Sequence, residues 1–379
     1  MTSETTPTGE TPSEVLLPYD DNRFESDPVE VLPDDPGLPI GWEALAPDPE
    51  DAADVERLTE LLRAHEDAGR GWPGASKDDV LVEVSEHGLK MRENLVIRDR
   101  SGRIRAWASV HDRSINRMLY VHIIERGLPQ TVVDRCSEVM FAWAEGQARA
   151  VGAARGLETQ QIDTGAFADD ERQHKLLENA GFTRVRTWWQ MSRAVTAEEA
   201  VLVPDPEHWE RKGVVFRQVR REGDGLPDVD DLHAVHDVLE SAFTDHFNSS
   251  EETFAEFVHR LREDPGHRWD HWWLAEIVDG EAGVAEPAGA LVGTVSESST
   301  GPDGSYVAYI GVLSSARGRG VAKGLLKTVI ADAAERGRDR VGLEVDADSS
   351  TGADQLYVGM GWKTKYVTES WHKDVPVAD

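Results

Sequence analysis

The chain has 379 residues, 39% of them hydrophobic, and a formal net charge of -31. That length suits two domains of ordinary size, and no run of about 18 apolar residues occurs that could form a transmembrane helix. The acidic surplus argues against non-specific binding to nucleic acid or to an anionic membrane, because both need a basic face. The single cysteine, Cys136, excludes an internal disulfide and a cysteine metal cluster, so no metal is expected. The N-terminus carries Thr, Ser, Glu and Pro where a signal peptide needs a basic start and an apolar stretch, so a cytoplasmic location is expected.

In chain order, residues 1–38 read as a disordered, acidic, proline-rich tail. Residues 1–40 hold ten acids, one arginine and seven prolines, too little apolar surface to fold alone. The first domain, 39–194, opens with an amphipathic helix over 53–65. Strands follow at 93–98 and 104–111, joined by an Asp99-Arg100-Ser101-Gly102 turn, and a third lies at 118–124. A long helix is expected at 132–151, a strand at 157–162, a short helix at 171–179 and a strand at 183–191. A linker spans 195–212, with a Pro204-Asp205-Pro206 turn.

The same order returns in 213–379. A strand at 214–219 precedes helices at 231–243 and 250–263, the second with Ser249 or Ser250 as its N-cap. Strands follow at 271–278, 288–296 and 306–312. Then come a helix at 321–335, a strand at 340–345, a helix at 352–358 and a last strand at 363–367. Residues repeat as well as elements: Leu176-Leu177-Glu178-Asn179-Ala180-Gly181-Phe182 corresponds to Leu356-Tyr357-Val358-Gly359-Met360-Gly361-Trp362. The fold class expected is α/β (α+β), with one fold present twice.

The segment with chemical character begins at Tyr309-Ile310-Gly311-Val312, passes through a small-residue loop, and reaches Arg317-Gly318-Arg319-Gly320-Val321-Ala322. The apolar residues Ala322, Leu325, Leu326, Val329, Ile330 and Ala333 follow helical spacing. Free N–H groups at a helix start attract anions, and the helix dipole adds to that attraction. Gly318 and Gly320 permit unusual backbone angles and close approach of a phosphate. Arg317, Arg319, Lys323 and Lys327 make a local positive patch with no acid between them. On physical grounds this is a phosphate or pyrophosphate cradle, or else a glycine-softened turn before a helix. It is not a Walker loop, since no Lys-Ser/Thr follows the glycines.

Arg317-x-x-Gly320-x-Ala322 resembles the Arg/Gln-x-x-Gly-x-Gly/Ala signature of the GNAT acetyltransferase superfamily. Ala353-x-x-Leu356-Tyr357-x-x-x-Gly361-Trp362 resembles that superfamily's second signature, in the correct order. Ser350 departs from the asparagine often found three residues before the alanine, and it can still cap a helix. The resemblance implies two tandem GNAT-like domains, each a mixed, mostly antiparallel twisted sheet flanked by helices. It implies acetyl-CoA as acyl donor, with its pyrophosphate on the amides of Arg317, Gly318, Arg319, Gly320, Val321, Ala322 and Lys323. The pantetheine arm would lie beside Ile310, Gly311 and Val312, where that strand and the next splay apart. A backbone N–H at or next to Val312 would polarise the thioester carbonyl, and Tyr357 would protonate the departing thiolate. The acceptor is an amine that attacks directly; its identity is not legible. Nor is the general base, for which Glu297, Glu369 and His372 are candidates.

In the first copy the matching loop reads Arg126-Gly127-Leu128-Pro129-Gln130-Thr131-Val132. Aligned on the following helix, Leu128 stands at Gly318 and Gln130 at Gly320. Pro129 removes an amide donor, and Leu177 replaces Tyr357. The first copy is therefore expected to be degenerate, leaving one active site per chain, in a monomer or homodimer. The tandem arrangement resembles that of the mycothiol synthase family, from which the acidic tail and the absence of a carboxylate on the 306–312 strand depart. A non-catalytic acyl-CoA-binding or regulatory role is the alternative.

Overall fold

The computed structural model describes residues 37–48, 50–85, 88–201, 206–223, 225–243, 253–278, 285–298, 301–348 and 352–378. The expected tail up to residue 36 and Ser350 lie outside these ranges, as do Pro204, Asp205, Ser249 and Ser250. The chain divides into two compact units. One takes the described residues within 21–191, 345–354 and 364–379; the other takes 192–344 and 355–363. No described helix is long and apolar enough to cross a membrane.

The N-terminal unit is a mixed sheet covered on both faces. Its strands are β1 (Glu43–Leu45), β2 (Arg92–Arg98), β3 (Ile104–Ser114), β4 (Arg117–Ile124), β5 (Thr159–Phe167) and β6 (Thr183–Ala194). Helices α1 (Ala52–Arg70) and α2 (Lys77–Val84) pack Leu58, Leu61, Val80 and Val84 against Val96, Ile104, Trp107 and Ile123. Helices α3 (Gln130–Ala154) and α4 (Glu171–Asn179) cover the other face, where Met140, Phe141 and Leu177 meet Ile97, Tyr120 and Ile162. Neighbouring side chains of a strand point to opposite faces, so Val96 and Ile97 enter different cores. That double burial is why Leu95-Val96-Ile97 reads as a continuous apolar run.

The C-terminal unit holds the short helix α5 (Pro206–Glu210), β7 (Val214–Gln218), α6 (Val229–Phe243), α7 (Phe254–Glu263), β8 (His267–Val278), β9 (Ala285–Ser296), β10 (Gly304–Val312), α8 (Val321–Glu335), β11 (Arg340–Asp346) and the turn-forming end of α9 (Ala353–Gly359). Strands run in the order β11-β10-β9-β8-β7, with β10–β11 parallel and the rest antiparallel. Helices α6 and α7 bury Leu232, Val235, Phe257 and Leu261 against Trp272, Leu274, Ala290 and Val292. The cap of α7 is Thr253, in a capping box with Glu256, and not Ser249 or Ser250. Arg217 binds both Asp231 of α6 (2.6 Å) and Glu276 of β8 (2.6 Å), tying the helix to the sheet.

Further elements differ from expectation, among them the short helix α5 inside the segment read as a linker. Strand β1 and helix α2 were not anticipated, being short and weakly patterned. The last strand, β12 (Lys363–Pro376), is far longer than 363–367. It pairs antiparallel with β5 from Thr368↔Phe167 to Pro376↔Thr159, and it buries Trp371 and Val375 in the N-terminal core. The division by sequence copies, 39–194 and 213–379, sets this strand with the second copy; its ladder and core contacts are with the first.

Candidate active site

The loop after β10 forms a helix start with its donors exposed. Ser314–Ala316 make one 3-10 turn, and the amides of Arg317 and Arg319 close turns onto Ser314 and Ala316 oxygens. Gly318 (φ 80°) and Gly320 (φ 82°) both take the left-handed conformation, which a side chain resists. Gly320 is the N-cap of α8 and no side chain caps that end. The first amides of a helix have no partner within it, so Val321, Ala322 and Lys323 present N–H groups at this end of α8. Among the described residues, Arg317, Lys323 and Lys327 make no ion pair, so their charge is available to a ligand.

Tight packing fixes this end of α8. A Cβ on Gly320 would sit 3.0 Å from Trp209, and one on Gly324 would sit 2.0 Å from Phe216. Trp209 and Phe216 meet edge-on at 5.0 Å, and Lys212 lies 4.9 Å from the Trp209 ring centroid. Trp209 is buried although it belongs to the segment read as a linker. Across the helix, Gly289 of β9 lets Val321 approach the sheet.

β10 supplies the second half of the site. It pairs with β9 to Val312 but with β11 only over Ser305–Val307, and a bulge falls at Ala308. Five residues, 308–312, therefore run on past the last β11 partner. The Leu313 amide donates to Ala288 on β9 at 2.9 Å. Donors alternate sides along an antiparallel strand, so the N–H groups of Ile310 and Val312 face the opened edge. The Gly311 N–H faces β9 instead, and off the face of the sheet a Cβ on Gly311 would meet Leu239 and Ala242 of α6 at 3.0 Å and 2.9 Å.

Tyr357 lies on α9 within the same unit as the loop. It is 7% exposed, its ring meets Trp362 at 6.1 Å, and burial pushes its phenol up to about 12. The turn after α9 is held by Arg193, which donates to the Met360 oxygen at 2.8 Å and stacks 5.8 Å from the Trp362 ring. Sequence reasoning missed Arg193 and Trp209, since neither has a local signature. The base candidates fare differently. Glu297 is exposed, near Arg268 at 3.6 Å. Glu369 and His372 sit on β12 in the N-terminal unit, where Glu369 is buried between Arg184 (2.7 Å) and His174 (3.2 Å).

Residues 233–362 match the family model described as "Acetyltransferase (GNAT) family". The matched segment runs from α6 to the turn after α9. Over most of its length the chain shares the fold of solved GNAT proteins, one of them a tandem protein. It is 24% identical to a GCN5-related N-acetyltransferase from Sphaerobacter thermophilus, covering 89% of this chain and 97% of that one at a TM-score of 0.66. A tandem GNAT protein from the clavulanic acid biosynthesis pathway superposes at 0.59 with 13% identity, over 89% and 100% of the two chains. Saccharomyces cerevisiae N-myristoyltransferase with bound myristoyl-CoA superposes at 0.52 with 11% identity, over 90% and 85%. At such identities the likeness concerns fold. No curated protein compared matches the chain.

The two copies align differently in space than on helical spacing alone. Gly127 (φ 89°) stands where Gly318 stands, and Pro129 caps α3 as Gly320 caps α8. The register is thus one residue off the expected one, with Pro129 rather than Gln130 at Gly320. Leu177 does match Tyr357: Phe182 and Trp362 donate to their carbonyls at 2.9 and 3.1 Å.

Proposed function

We propose that the C-terminal unit is an acetyl-CoA-dependent N-acetyltransferase that acylates an amine of a small molecule or peptide by direct attack. The observation that carries this reading is the uncapped start of α8, with two left-handed glycines, beside a strand whose Ile310 and Val312 amides face an opened sheet edge. The cradle suits a pyrophosphate: it offers the unpaired first amides of a helix, two glycines that admit close approach, and the neighbouring cations Arg317 and Lys323. Acetyl-CoA, when bound, supplies an activated thioester.

The Val312 amide donates to the carbonyl oxygen as negative charge grows there, a role in which one donor is worth about 3 kcal/mol. Tyr357, protonated at neutral pH, donates to the sulfur as its bond to carbon breaks. The incoming amine must reach the site neutral, and its surplus proton leaves to solvent or to a base; the described residues near β10 include no carboxylate on that strand. The choice of acetyl rather than a longer acyl group rests on the sequence signatures.

A calorimetric titration with acetyl-CoA and a thiol-release screen over an amine panel test the reading. Arg317→Ala combined with Gly320→Gln should abolish binding, and unchanged affinity sinks the cradle. Tyr357→Phe should lower turnover while leaving acetyl-CoA affinity near the wild-type value. Binding without turnover of any amine would favour a regulatory acyl-CoA-binding role.

A further inference from the structure

The N-terminal unit contains a recess of about 410 Å³, its open mouth included, at the place where β4 has parted from β5. The two strands pair only as far as Tyr120↔Thr164. Beyond that point His122, Ile123 and Ile124 line the recess, opposite Leu61 and His65 of α1 and the first turns of α4. It corresponds to the opened strand edge of the C-terminal unit, but its walls are different.

Its polar groups are short of partners. His122 is 5% exposed, stacks on Tyr120 at 5.3 Å, and neither ring nitrogen has a hydrogen-bond partner among the described residues. A neutral imidazole carries one donor and one acceptor, and leaving both buried and unpaired is unfavourable. Gln173 is 6% exposed and gives its Nε2 to the Gly165 oxygen at 3.2 Å, while Oε1 has no partner among the described residues.

Its charged groups are unequally paired. Asp170 is taken by Arg126 at 2.5 Å, and Glu125 by Arg105 and Arg57 at 2.5 and 2.8 Å. Arg172, half-buried, reaches the Glu125 carbonyl at 3.4 Å and no carboxylate among the described residues. Burial, and then the neighbouring Arg126, disfavour its charged form, and Asp170 only partly offsets them. A buried water can satisfy an imidazole but brings no charge to a guanidinium. One anion would do so.

The occupant must be small. The connection from β4 to α3 is Glu125 to Pro129, three residues shorter than the one from β10 to α8, Leu313 to Gly320. It lacks the 3-10 turn, and its cap is a proline without an N–H. No seat for a pyrophosphate remains, and Leu177 stands where the C-terminal unit has Tyr357.

We propose that this recess binds a small monocarboxylate bearing a hydroxyl or amine, of the size of a hydroxy acid or amino acid. The carboxylate lies on Arg172 and His122, and the hydroxyl or amine donates to Gln173 Oε1. This site is independent of the acyl-transfer reading of the other unit.

The test is isothermal titration of the full chain with L-lactate and with L-serine, alongside acetate and acetyl-CoA. At least one of lactate and serine should bind saturably at one site per chain, and more tightly than acetate, which offers Gln173 no donor. Arg172→Gln should weaken that binding by about tenfold or more, the value of one charge-assisted hydrogen bond, with acetyl-CoA affinity unchanged. In the wild-type chain the binding probe should shift the His122 ring resonances, assigned by their loss in His122→Phe; this readout does not depend on how well Arg172→Gln folds. The proposal is overturned if neither probe binds at millimolar concentration, if acetate binds as well as both, if the His122 signals stay put, or if acetyl-CoA displaces the probe.

Discussion

Gly318 and Gly320 share nearly the same backbone angles, φ 80° and 82°, and differ in what surrounds them. A Cβ on Gly318 meets nothing within 4 Å, whereas one on Gly320 meets Trp209 at 3.0 and 3.2 Å. The left-handed conformation costs a non-glycine residue about 1–2 kcal/mol at either site. At Gly320 the indole must also shift, and it is backed by Phe216, which itself fills the space over Gly324. Overpacking of that kind adds about 1 kcal/mol or more. Gly318→Ala should therefore destabilise by about 1–2 kcal/mol, and Gly320→Ala by about 2–3 kcal/mol, in urea unfolding followed by circular dichroism. Trp209→Leu removes the ring that the new methyl would strike. In that background the excess cost of Gly320→Ala should vanish. Equal costs for the two alanines in the wild-type chain, or an excess that survives Trp209→Leu, would refute the packing argument. Calorimetry on the same variants shows whether the cradle tolerates the shift; Gly320→Ala should weaken acetyl-CoA more than Gly318→Ala.

Gly324→Ala should destabilise by about 1–3 kcal/mol although alanine is the better helix former, because Phe216 stands 2.0 Å from the added carbon; pairing it with Phe216→Leu should recover most of the loss. Burial pushes the Asp231 carboxyl up, but hydrogen bonds from Arg217 and Arg220 outweigh it and hold it down to about 2. Its ordinary value is about 3.9, so the stability it contributes is fully present above that pH and is lost as pH falls towards 2. Asp231→Asn should flatten the acid limb of stability against pH in that window, and an unchanged slope would count against the Arg217–Asp231 link. Deletion of residues after Val367 should unfold the N-terminal core, since it removes the β5 ladder, Trp371, Val375 and the Lys373–Glu145 pair at 2.5 Å. Limited proteolysis should then cut first within 92–167; protection there with cleavage confined to 253–335 would show that β12 is dispensable to that core.

Much of the site was legible because its signals are local. The strand-to-helix passage around Gly318 and Gly320 needs only a glycine pair and a run of helical spacing, both contained within 309–333. Helix α8 begins at Val321 and ends at Glu335, as its apolar positions require. The Leu177 and Tyr357 correspondence was legible for the same reason, since each helix ends in a left-handed glycine, Gly181 or Gly361, that closes the same turn. The short loop of the first copy was misaligned by one residue, because an amphipathic helix tolerates a small register error in its apolar pattern while a φ angle does not.

The sequence by itself determined the fold repeat and the glycine-bearing passage from β10 into α8, both of which rest on chain-local geometry. Tertiary structure alone decided the rest. It placed β12 against β5, because strand pairing is chosen by edges and cores remote in sequence. It drew Trp209 out of an expected linker to fix the start of α8. It also left His122 and Gln173 short of hydrogen-bond partners, and Arg172 without an ion pair among the described residues, around one recess, because burial and hydrogen-bond balance are properties of packing and not of residue order.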